Sequence, residues 1–128
     1  MQFGAWFPLE ALLSGPPSPD APAPPDGPGV FQLRVEKGLL RYPRGQSAMV
    51  AYGAGSDVRA ALAELLAGPV GDHARRLGPL LCRFAVPDPH STPHEHLRRL
   101  HERFQAQFGS LPMAQALAAD PPAGATEP

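Results

Sequence analysis

Histidines are the first candidates for chemistry in this chain. His90, His94, His96 and His101 fall close together, and imidazoles at helical spacing serve as metal ligands and proton carriers. His90 and His94 stand at i, i+4, but Pro93 lies between them and His90 precedes the expected helix start. His94 and His101 share a helical face at i+7, with no acidic or Cys ligand in phase, so no metal site is expected. His101 lies four residues after Leu97, beside an apolar stripe, and reads as a partly buried packing residue rather than a base. Cys82 is the only cysteine, which excludes an internal disulfide and a Cys-based zinc site. Its run, Leu80-Leu81-Cys82, predicts a buried, inert thiol. Ten of the eleven cations are Arg, the better residue for forked phosphate contacts, although a GC-rich coding sequence explains that bias more simply.

The composition shows where these residues must be held. The 128 residues allow one domain. Residues 15–29 hold seven of the 18 prolines and three of the 13 glycines, whereas residues 30–118 carry an ordinary share of both. All eleven cations fall in 30–118 with seven acids, leaving that segment at +4 and its flanks at −5. That is below the charge of a dedicated DNA binder. No apolar stretch reaches the ~20 residues a membrane span needs, and Met1-Gln2-Phe3-Gly4 carries no basic leader region. A soluble cytoplasmic protein without a membrane partner is expected. The implied organisation is an N-terminal helical segment (1–13), a Pro-rich linker (14–28) read as a tether rather than an SH3-type ligand, a domain (29–118), and a disordered tail (119–128).

Periodicity fills in the elements. Residues 3–13 read as a short helix, with Pro8 in its first turn and Leu9, Leu12 and Leu13 on one face; it must dock to be stable. Residues 30–35, 39–42, 48–52 and 80–86 read as strands. Ser56 or Asp57 caps a helix whose Val58, Ala61, Leu62, Leu65 and Leu66 form one stripe, stopped by Gly68-Pro69. Residues 69–78 are loop or broken helix. Thr92-Pro93-His94-Glu95 is a capping box opening a helix with Leu97, Leu100, Phe104 and Phe108 inward, ended by Gly109. Residues 110–118 add a helical turn. The fold class is α+β: a small three-stranded, mainly antiparallel sheet flanked by helices.

Four motifs in this order carry a resemblance. Pro28-Gly29-Val30-Phe31 opens the first strand, Ala51-Tyr52-Gly53 closes a later one, Gly55-Ser56-Asp57-Val58-Arg59 leads into a helix, and Phe108-Gly109-Ser110-Leu111-Pro112 follows the last long helix. Together these resemble the GIY-YIG nuclease domain over roughly residues 28–115. The resemblance implies a small antiparallel sheet flanked by helices. In active members it also implies DNA cleavage by a Tyr, a helical Arg, a Glu and a divalent metal.

Carried over residue by residue, the working groups are missing. The first motif's Tyr falls on Phe31, the second motif's first Tyr on Ala51, and the helical Arg on Ala61. The Glu falls near His96 or Leu97, with Glu95 and Glu102 out of phase, and the late Asn on Gln115. Tyr42-Pro43-Arg44-Gly45 is a rival second motif, but no helix follows it. Phosphodiester cleavage needs a base, a carboxylate-held metal and positive charge at the leaving group. The expectation is therefore a catalytically inactive GIY-YIG-like domain acting as a binding or adaptor module, with no cofactor. A protein partner suits the Trp6-Phe7-Pro8 segment, the linker and the acidic tail. A retained nucleic-acid groove would use Arg34, Arg41, Arg44 and Arg59, with Tyr42 and Tyr52 as stacking rings. The alternative is a divergent Mg²⁺-dependent endonuclease relying on Tyr42 or Tyr52, Arg59, and Glu95 or Glu102.

Overall fold

A computed structural model of the chain describes residues 2–13 and 25–119. Its centre is strand β2 (Gly29–Val35), whose GVFQLRV run is buried along almost its whole length. A strand covered on both faces has no need of polar alternation, which is why this segment alternates only in part. The other strands and helices take the labels β1 (Phe7–Pro8), β3 (Leu40–Tyr42), β4 (Gly45–Ser47), β5 (Met49–Gly55), β6 (Leu80–Ala85), α1 (Leu9–Leu13), α2 (Val58–Ala67), α3 (Pro69–Arg76), α4 (Pro93–Phe108) and α5 (Met113–Ala119).

Antiparallel pairing gives a four-stranded sheet in the order β1-β6-β2-β5 and a separate two-stranded β3-β4 sheet. The α+β class stands, and two expectations are corrected. The 39–42 segment does not join the main sheet: Leu40 pairs with Ser47 and Tyr42 with Gly45, in a hairpin turning at Pro43-Arg44. The main sheet instead gains a fourth strand from the N-terminal segment. Residues 3–13 are not one helix, because Phe3 bridges to Ala85, Phe7 pairs with Cys82, and the helix starts only at Leu9. Proline disfavours helical backbone at the residue before it, so Pro8 holds Phe7 extended. Residues 14–24 of the expected linker and 120–128 of the expected tail lie outside the described residues.

Capping sets the helix boundaries. Asp57 Oδ1 accepts from Ala60 N at 3.3 Å at the start of α2, and Thr92 Oγ1 accepts from Glu95 N at 3.1 Å at the start of α4. Gly109 closes α4 at φ 85°, a left-handed turn that favours glycine. Residues 69–76 form the helix α3, with Pro69 at its first position.

One sheet face buries Phe31, Leu33, Val35, Ala51, Leu80, Cys82 and Phe84 against Phe7, Leu9, Leu62 and Leu66. On the other, Tyr52 joins Tyr42 and Phe104, packed with Leu97, Leu100 and Phe108 of α4. Among the described residues no helix is long and apolar enough to cross a membrane.

Candidate functional site

Strand β5 lies at the outer edge of the sheet, and an edge strand leaves backbone N–H and C=O groups unpaired. Here α5 supplies a substitute strand. Gln115 Oε1 accepts from Tyr52 N at 3.1 Å and Gln115 Nε2 donates to Tyr52 O at 2.5 Å. These two bonds fix which amide atom is oxygen. His101 Nε2, 3.0 Å from the same oxygen, is therefore the donor. The Tyr52 ring stacks on His101 with centroids 5.7 Å apart and meets Phe104 edge-on at 5.9 Å.

Beside this junction opens a cleft of about 390 Å³ between β5, α2, the α2–α3 corner, α4 and α5. Of the positions the resemblance assigns to working groups, Phe31, Ala61 and Gln115 line this cleft; of the two candidates for the Glu position, Leu97 lines it and His96 faces another pocket. A Cβ on Gly53 would lie 2.1 Å from Phe31 Cζ, so Gly53 is the space the Phe31 ring occupies. Ala51 does not line the cleft; it is buried with Leu33 and Val50 in the core. Glu64 is the one carboxylate in the lining, and no lysine or arginine is part of it. A Mg²⁺ ion takes several oxygen ligands, whereas the cleft offers Glu64 and an amide already bonded to Tyr52. These residues do not fit a divalent-metal site.

Both tyrosines are committed to structure. Tyr42 OH donates to Met49 O at 2.5 Å and accepts from Met113 N at 2.7 Å, tying β5 to α5. Burial raises the Tyr42 phenol, opposed by the bond from Met113. Burial, reinforced by the neighbouring Tyr42, pushes Tyr52 up to about 12 against the pull of Arg83. Such a phenol yields little phenolate near neutral pH and is a poor general base. Both rings are buried, so neither offers a face for a stacking base. Burial raises the Cys82 thiol to about 12, as its apolar run implied.

The arginines expected to form one groove are dispersed. Arg41 and Arg44 are exposed on and beside the β3–β4 hairpin, and Arg44 Nη2 donates to Gln105 O at 3.3 Å. Arg59 pairs with Asp26 at 2.8 Å near the start of α2. Arg34 lies on the sheet face with its Cζ 4.4 Å from the Trp6 ring centre. Glu95 reaches toward Arg99 at 3.9 Å and Glu102 pairs with Arg98 at 3.0 Å, and neither lines the cleft.

Sequence reasoning missed a cluster around Trp6. Arg83 Cζ lies 4.3 Å from the same ring and 4.7 Å from the Phe3 ring, and Arg83 Nε donates to Gln32 Oε1 at 2.7 Å. Burial, then the adjacent Arg34 charge, lowers the Arg83 pKa. Strand alternation puts Gln32 and Arg34 on one face; that Arg83 meets them depends on the β2–β6 register, which no local signal gives. Comparison with protein-family models, curated proteins and solved structures finds no match for this chain.

Proposed function

We propose that this chain is a non-catalytic, GIY-YIG-like binding module that takes an extended apolar segment of a partner protein in the β5 cleft. The observation that carries this reading is the convergence of Phe31, Ala61, Leu97 and Gln115 on one pocket with a single carboxylate and no cation. An antiparallel β2–β5 pair leading into the Asp57-capped α2 also matches what the resemblance implies. The cleft is chemically suited to a peptide. Tyr52 turns its N–H and C=O outward to Gln115, so by antiparallel alternation Ala54, two residues on, faces the same way. Ala54 lines the cleft, so an added strand can bond there while its side chains meet Leu65 and Leu97. Glu64 favours a segment carrying one basic residue.

Incubation of the purified chain with supercoiled and branched DNA in Mg²⁺ or Mn²⁺ tests the catalytic half of this reading. The expected result is intact DNA. Cutting that survives repurification and disappears in Tyr52→Phe would establish the endonuclease alternative instead.

A further inference from the structure

On α4, the residue beside Leu97 turns to a different place. His96 is only 6% exposed, and its Nε2 is buried without a hydrogen-bond partner among the described residues. Buried polar atoms in folded proteins nearly always have partners, so an unmet imidazole nitrogen points to a group not yet in place. His96 lines a pocket of about 240 Å³ with Asp88, Arg99, Leu100 and Arg103. His96, Arg99 and Arg103 stand at i, i+3 and i+7, which puts them on one face of α4. The ion pairs along α4 join Arg98 to Glu102 and, at 3.9 Å, Arg99 to Glu95; Arg103 is in neither.

We propose that this pocket binds a phosphate-type oxyanion, with His96 Nε2 and the guanidinium groups of Arg99 and Arg103 as donors. Arginine presents paired N–H groups that match two oxygens of a tetrahedral anion. Imidazole adds one donor when Nε2 carries a proton. The two guanidinium groups outweigh the Asp88 carboxylate in the lining, so the pocket favours an anion. The Asp88 carboxylate also sets a preference. It accepts a hydrogen bond from a protonated phosphate oxygen and repels sulfate, which has no proton to give near neutral pH. The site is separate from the β5 cleft, and this inference does not rest on the cleft's proposed role.

The test is titration of the full chain with sodium phosphate at constant ionic strength, balanced with chloride, following the imidazole nitrogens by NMR. The expected result is a saturable shift of His96 Nε2, with amide shifts confined to α4 and residues 86–91. Arg99→Gln with Arg103→Gln should weaken binding at least tenfold, whereas Arg98→Gln should change it less than twofold. All three arginines are exposed, so these variants keep the fold. Sulfate should bind several-fold more weakly than phosphate, and Asp88→Asn should remove that difference. Methyl phosphate, titrated below its second pKa of about 6 so that it too keeps one acidic proton, separates the two sources: binding as tight as that of phosphate admits an esterified phosphate, and loss of binding restricts the site to the free anion. A linear, unsaturated response, a silent His96, or equal effects of Arg98→Gln and the double variant would overturn the proposal.

Discussion

Gln115 behaves as a fragment of β-strand: one side chain satisfies both backbone groups of Tyr52 and orients His101 as well. Burial lowers the His101 pKa from its ordinary 6.5, and the Gln115 bond only partly opposes this. The folded state therefore favours neutral imidazole, and below pH 6.5 the unfolded chain binds more protons. Stability tied to His101 is complete above pH 6.5, falls as pH drops from there, and levels off below the folded pKa. Urea unfolding across this range should show a steeper loss in the native chain than in His101→Gln; parallel curves would contradict the burial argument. At this scale the sequence was informative where a residue's type decides the matter. Cys82 in its apolar run and His101 beside the α4 stripe were both readable. The role of Gln115 was not, because a side chain that replaces a strand looks, in sequence, like any helical glutamine.

Helices α2 and α4 were legible because their signals are local: an apolar stripe, a capping Asp or Thr, a terminating Gly. Strand pairing is not local, so the 39–42 segment was read as part of a sheet it does not join, and its partner β4 was not read as a strand. The N-terminal segment shows the same limit. Leu9, Leu12 and Leu13 do fall in one short helix, but Pro8 and the open edge of β6 draw Phe7 into the sheet. Phe7 is buried, with its ring centroid 5.8 Å from that of Phe84. Phe7→Ala should therefore cost about 3 kcal/mol, as removal of a core aromatic does. Guanidinium unfolding measures this, and a loss below ~1 kcal/mol would mean that β1 is decoration rather than part of the fold.

Across the whole molecule, helices pack against the four-stranded sheet, and α4 contributes to two chemically different pockets. Its Leu97 flank faces the apolar cleft; its His96 flank faces the polar pocket. The cleft was partly legible, since Phe31, Ala61 and Gln115 were picked out by motif position. The polar pocket was not, because Asp88 joins His96 and Arg103 only once the loop after β6 folds back on α4. The arginines of the expected nucleic-acid groove, Arg34, Arg41, Arg44 and Arg59, sit on separate elements with separate partners, a placement that sequence position alone does not give. Peptide binding in the β5 cleft is tested most directly by titration of the isotope-labelled chain with short valine-rich peptides carrying one lysine, read at backbone amides. Saturable shifts at Ala54, Leu65 and Leu97, abolished by Leu65→Glu and weakened when the peptide lysine becomes glutamate, are predicted. Shifts confined to other surfaces, or a response unchanged in Leu65→Glu, would contradict it.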